Sequence, residues 1–199
     1  MVNKHFPIGK VIFFVTGNIH KFNEARRILA EYAIAAAMLR IKTTEIQDDD
    51  IENIARASAL EVFKRSNLPL IVEDAGLFIR AFNGFPGAYS SYVFRTIGNR
   101  GILKLIEGHK DRIAQFHSTV AFCASGLSPM CFQGISEGEI AEEARGYSGF
   151  GFDPIFKPFG GGGKTFGEMS VGEKNIFSHR SRALRKFAEW YRPCVKQSF

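Results

Sequence analysis

Five consecutive apolar residues, VIFFV at 11–15, stop at the small polar tripeptide Thr16-Gly17-Asn18. An apolar run of that length, rich in β-formers and closed by turn residues, predicts a buried strand. From Ile19 the period changes, and Phe22, Ala25, Ile28, Leu29 and Tyr32 recur at helical spacing. Residues 39–46 predict a short second strand ending in Glu45. The acidic run Asp48-Asp49-Asp50 precedes another helical stripe, Ile54, Ala57, Ala59, Leu60 and Phe63, and reads as a solvated helix start. Leu70, Ile71 and Val72 predict a third buried strand that runs straight into Glu73 and Asp74. Strand, helix, strand, helix, strand predicts an α/β core with a largely parallel or mixed sheet.

The second half is patterned differently. FNGFPGAYSSY at 82–92 is a Gly/Pro-punctuated loop opening a helix near Ala88, and residues 100–107 continue helically. Alternation then takes over, with STVAFCA and CFQGISEGEI forming a hairpin between 117 and 140, within a smaller lobe expected inside 117–145. RGYSGFGFDPIF and the four glycines 160–163 make loops. A last helix is predicted from 179 to 191, with Ser178 as N-cap and Ala183, Leu184, Phe187, Ala188 and Tyr191 as its apolar stripe. A chain of 199 residues that is 45% hydrophobic suits one domain spanning 1–199, lobed around a cleft.

Net charge adds one constraint. A formal charge of +6 fits attraction of polyanions, but the basic residues form no single block, so nucleotides fit as well as nucleic acid. The cysteines, Cys123, Cys131 and Cys194, are odd in number and lack metal-ligand spacing. They read as reduced thiols of a cytoplasmic protein, with a Cys123–Cys131 cross-link as the alternative. The N-terminal ten residues lack the apolar stretch of a signal peptide, and no apolar run reaches membrane-spanning length.

Four stretches could carry chemistry. TGNIHK, 16–21, ends a strand and starts a helix, so its backbone N–H groups can face an anion, with Thr16, Asn18 and Lys21 adding side chains. A capped helix with an ordinary lysine explains it equally well. EDAG, 73–76, sets two carboxylates just past a buried strand, where α/β folds keep their ligands. Alternation points Glu73 and Asp74 in opposite directions, so one can anchor a cation while the other faces the ligand. Glu45, at the end of the second strand, would approach Glu73 or Asp74 from an adjacent strand, and two carboxylates at neighbouring strand ends would suit magnesium, which binds few protein carboxylates and keeps several waters. SGFGFDP, 148–154, offers a ring at Phe150 between glycines and an acceptor at Asp153, either a purine platform or a turn with core phenylalanines. EKNIFSHRSRAL, 173–184, gathers Lys174, His179 and Arg180 around a helix start, the end where cations are disfavoured. They are either solvated surface charges or the receptors of something rich in acceptors.

Together TGNIHK, TEIQ, VEDAG, GFPGAYSSY, SGFGFDPIF, KTFGEM and GEKNIFSHRSRAL closely resemble the inosine triphosphate pyrophosphatase family, in the family's order and over residues 11 to about 191. The resemblance implies a mixed α/β fold of two lobes around a cleft, assembled as a homodimer. It also implies Mg²⁺-dependent hydrolysis of non-standard purine nucleoside triphosphates, ITP, dITP and XTP, to monophosphate and pyrophosphate, which cleanses the nucleotide pool. On that basis Thr16, Asn18 and Lys21 hold the triphosphate, Glu45 and Asp74 place the metal, and Asp74 is the essential carboxylate. Ser90 and Ser91 lie near phosphate and sugar, Phe150 stacks on the base, Asp153, His179 and Arg180 read its edge, and Lys174 reaches the nucleotide from the opposite wall. Three positions depart from the family's habits: Gly167 where alanine is frequent, expected to loosen its loop; Phe152 before the aspartate; and Ser58 near a position where many bacterial members carry lysine. Two other readings stand beside this one: a pyrophosphatase for dTTP, UTP or modified pyrimidine nucleotides, and a nucleic-acid-binding module.

Overall fold

The computed structural model describes residues 11–44 and 46–196, with side chains to residue 192. Strand β1 (Val11–Val15) leads into helix α1 (Ile19–Glu31), then β2 (Ala35–Leu39), α2 (Ile51–Ser66) and β3 (Leu70–Ile79). A two-residue strand, β4 (Pro86–Gly87), precedes the short helices α3 (Ser90–Thr96) and α4 (Gly98–Leu105). The long strands β5 (Ile113–Cys123) and β6 (Met130–Ile140) follow, then β7 (Phe156–Pro158), α5 (Val171–Phe177) and α6 (His179–Lys196). Hydrogen bonding orders the strands β2-β1-β3-β5-β6-β7, with β4 paired to β3. β1 is parallel to both β2 and β3, while β7 is antiparallel to β6 and β4 to β3, so the sheet is mixed and the fold is α/β.

Two strands differ from their expected bounds. β2 lies at AAAML, not at 39–46, and ends at Leu39. Alanine has little preference for strands, so nothing in the pattern marks this segment; the parallel register Val11↔Ala35 to Val15↔Leu39 makes it one. Glu45, expected at the end of that strand, lies outside the described residues. β3 does not stop at Val72 but continues through EDAGLFI to Ile79, so Glu73 and Asp74 sit inside the strand. The acidic run does start a helix: Asp50 caps α2 by accepting from the Glu52 N–H at 2.8 Å.

Contacts divide the chain into two compact units. The first comprises the described residues up to Asp74, Thr119–Gln133 and those from Ser181; the second comprises Ala75–Ser118 and Gly134–Arg180. In the first unit the period of two sorts side chains between two layers. Ile12, Phe14, Ile71, Val120 and Phe122 pack with α1 and α6, through Ala25, Ile28, Leu29, Leu184, Phe187 and Tyr191. Their neighbours Val15, Leu70, Val72, Ala121 and Cys123 pack on α2 through Ala55, Ala59 and Val62. The second unit has its own core, in which Phe116, Phe152, Phe156 and Phe166 join Leu77, Ile79, Ile102 and Ile140.

Cys123 and Cys131 are free thiols, and burial pushes both up to about 11. Among the described residues no helix is long and apolar enough to cross a membrane. The capping role of Asp50 gives a direct expectation. Asp50→Ala lowers stability by about 1 kcal/mol, whereas Asp49→Ala stays within about 0.5 kcal/mol; urea denaturation of both variants checks the difference.

Candidate active site

In the first unit the candidate residues start at the β1–α1 junction. Asn18 Oδ1 accepts from the N–H groups of His20 (2.9 Å) and Lys21 (3.3 Å), and Thr16 Oγ1 accepts from the Asn18 N–H at 3.1 Å. Asn18 is therefore the N-cap of α1, and part of the donor set at this helix start is already used. Lys21, in the first turn, has its ammonium 3.0 Å from the Glu73 carboxylate and donates to the Glu73 carbonyl at 3.3 Å. The charge conflict of a cation at a helix N-terminus is thus offset by the protein's own acid, whose side chain is fully buried.

Strand parity explains the pairing. Glu73 shares the face of Ile71, where α1 packs, and so meets Lys21. By the same alternation Asp74 follows Leu70 and Val72 onto the face of α2, and it is half-buried. Ile41, beyond β2, also packs on that face, so the segment leading toward residue 45 runs on the side where Asp74 lies. Among the described residues no group of three or more His, Cys, Asp or Glu is clustered as a metal cage. One half-buried carboxylate still suits Mg²⁺, which takes most of its ligands from water and phosphate.

In the second unit SGFGFDP folds around Asp153. Its Oδ2 accepts from the Phe150 N–H at 2.8 Å and from the Lys174 ammonium at 2.7 Å, both charged side chains being almost wholly buried. Gly149 makes this possible: it has φ +77°, and a Cβ there would stand 2.0 Å from Asp153 Oδ2. The Asp153 oxygen foreseen as an acceptor for a base thus holds the loop. Over the Phe150 ring lie Lys174 Nζ, 4.9 Å from the centroid, and the Arg180 guanidinium carbon at 5.3 Å. His179 stacks on Phe116 with centroids 4.5 Å apart and planes 11° from parallel. Lys174, His179 and Arg180 are each at most 3% exposed, which excludes solvated surface charges.

The motifs KTFGEM and SVGEKN owe part of their pattern to helix starts. Each begins a capping box, Thr165 with Glu168 and Ser170 with Glu173. The Ser170 N–H on Glu173, with Lys164 beside it, holds that carboxyl down at about 2. The box sets where α5 begins, and so where Lys174 is presented. Gly167 does not loosen its loop: a Cβ there would lie 2.7 Å from the Arg145 carbonyl oxygen, so the backbones are in close contact. Phe152 is buried against the edge of Phe94, and Ser58 is buried in α2.

Ser90 and Ser91 part company. Ser90 Oγ accepts from the Leu77 N–H and donates to the Gly87 carbonyl, both at 2.7 Å, tying the turn to β3. Ser91 is exposed on α3. One residue without any sequence signal belongs to the Phe150 loop: Asn99, in the first turn of α4, donates to the Gly151 carbonyl at 3.2 Å.

The Ham1 family model matches residues 12–190. Among curated proteins the chain is 51% identical to a dITP/XTP pyrophosphatase of Methanopyrus kandleri, over 91% of this chain and 96% of the relative. It is likewise 51% identical to a dITP/XTP pyrophosphatase of Methanothermobacter marburgensis, over 90% and 95%. Solved structures of similar fold include a HAM1 protein from Coxiella burnetii, with TM-score 0.79 and 29% identity over 91% of this chain and 98% of that one. The Ham1 protein of Staphylococcus aureus superimposes with TM-score 0.78 and 25% identity, over 92% and 98%. The chain belongs to the Ham1 family, the inosine triphosphate pyrophosphatases that its motifs resemble.

Breaking the buried pair tests its structural weight. Lys174→Met takes the ammonium away from the buried Asp153 carboxylate and lowers stability by about 3–5 kcal/mol. Lys174→Met with Asp153→Leu recovers only part of that loss, because the Phe150 N–H then lacks its acceptor. Urea denaturation reads both, and a single-variant loss below about 1 kcal/mol would count against a desolvated pair.

Proposed function

We propose that this protein is a nucleoside triphosphate pyrophosphatase that hydrolyses ITP, dITP and XTP at the α–β phosphoanhydride, giving the monophosphate and pyrophosphate. The observation that carries this reading is the Phe150 ring flanked by Lys174 and Arg180, both desolvated. A purine laid on that ring comes within reach of cationic donors, which match the 6-oxo acceptor of hypoxanthine or xanthine. Adenine presents an amino donor at the same place, leaving donors facing donors in a buried site, and is rejected for that reason and not for its size. The activity named for the two relatives at 51% identity supports the same substrates.

Lys21, oriented by Glu73, neutralises charge on the triphosphate oxygens. Asp74 holds or activates the attacking water, and with Glu45 it would hold Mg²⁺. When bound, the ion would act as a Lewis acid on the phosphates and lower the pKa of a coordinated water. The reading also carries a cytoplasmic homodimer acting on free nucleotides. The burial of the cations speaks against a nucleic-acid face, which needs them spread over an exposed surface. A pyrimidine substrate would leave much of the Phe150 platform unused.

Pyrophosphate release from ITP, XTP, GTP, ATP and dTTP, with and without Mg²⁺, tests the proposal in wild type and Asp74→Asn. The expected outcome is Mg²⁺-dependent turnover of ITP and XTP well above ATP and dTTP, lowered about 10²-fold or more in the variant. Equal turnover of all five would remove the base-reading role, and preferred dTTP would favour the pyrimidine reading.

A further inference from the structure

Phe150 is gripped on both sides of its Cα. On the N-terminal side its own N–H is held by Asp153 Oδ2 at 2.8 Å. On the C-terminal side the carbonyl of the following residue, Gly151, is held by Asn99 Nδ2 at 3.2 Å. The two holds differ in origin: Asp153 belongs to the loop, whereas Asn99 reaches it from α4. Gly151, with φ +63°, places that carbonyl in a conformation a substituted residue would strain to adopt. The same helical segment braces the loop a second time, where Phe94 of α3 sets its ring at 87° to Phe152, centroids 5.4 Å apart.

The other end of the Asn99 amide makes the arrangement unusual. Its Oδ1 is buried with no hydrogen-bond partner among the described residues. Reversing the amide would set Oδ1 against the Gly151 carbonyl, so Nδ2 toward the loop is the favourable orientation. An unsatisfied buried acceptor is costly, and an apolar side chain of similar size would remove that cost. Leucine would remove that cost while leaving the half-buried Gly151 carbonyl to water, so on stability grounds alone it would serve about as well. A polar residue kept at that cost is explained by what its one hydrogen bond does, which is to fix the Gly151–Phe152 peptide, one residue beyond the platform ring.

We propose that Asn99 is a positioning residue that sets the Phe150 ring for the purine, and thereby base affinity, without touching the base. The proposal rests on Phe150 being the platform, as read above. It separates stability from binding, which a merely structural role would not. Asn99→Leu melts at the same temperature as wild type or higher. It binds inosine monophosphate about fivefold more weakly and raises the KM for ITP by the same factor, as loss of one neutral hydrogen bond requires. Its kcat stays close to that of wild type, and its affinity for inorganic tripolyphosphate, which has no base, is unchanged. Asn99→Asp, equal in size but without the donor, shows the same binding loss and stands in should the leucine variant fold poorly. Calorimetric titration with both ligands, thermal melts and ITP kinetics give all four readouts. Wild-type binding of inosine monophosphate together with undiminished binding by both variants would overturn the positioning role. Wild type that binds tripolyphosphate but not inosine monophosphate would overturn the platform reading on which it stands.

Discussion

Asp153 and Lys174 meet at 2.7 Å with almost no water on either side chain, and one oxygen of that pair also fastens the Phe150 backbone. Burying either charge is costly, and the opposite charge at 2.7 Å offsets much of that cost for each. The pair therefore dictates much around it. It requires glycine at 149, where any Cβ would displace the carboxylate. It requires α5 to begin at Ser170, so that Lys174 is presented to the loop, and the Ser170–Glu173 capping box fixes that start. Once Lys174 and Phe150 are placed, the half-buried ring lies against the desolvated Lys174 and Arg180, and the chemistry proposed for a 6-oxo purine rests on that arrangement.

In the first unit the governing constraint is simpler. A strand that alternates between two helical layers must send consecutive residues to opposite faces. Glu73 and Asp74 are consecutive, so they cannot do the same work. Glu73 goes to the α1 layer and orients Lys21; Asp74 goes to the other. The pairing with Glu73 fixes the Lys21 ammonium at a helix start.

Much of this was legible in the sequence where period and chemistry agree. β1, α1, α2, β5 and β6 come directly from apolar spacing, and the opposite roles of Glu73 and Asp74 come from strand parity. β2 was misplaced because AAAML lacks the branched and aromatic residues that mark strands; only pairing with β1 makes it extended. Nor could spacing show that Asp153 would be used by Lys174, or that Asn99 would reach Gly151 across fifty-two positions, since tertiary packing alone brings them together. Ser90 looked available for a ligand, yet the fold takes both functions of its hydroxyl for the turn before α3. The clustered cations were ambiguous in sequence because solvated and buried arginines read alike; burial distinguishes them.

The most direct measurement is a calorimetric comparison of inosine and adenosine monophosphate binding to wild type and Arg180→Met. Desolvated donors facing the base predict that wild type binds the inosine nucleotide at least about tenfold more tightly. In Arg180→Met that preference should shrink through loss of inosine nucleotide affinity. Equal affinities in wild type, or a preference untouched by removing the guanidinium, would contradict the assignment of base recognition to these buried cations.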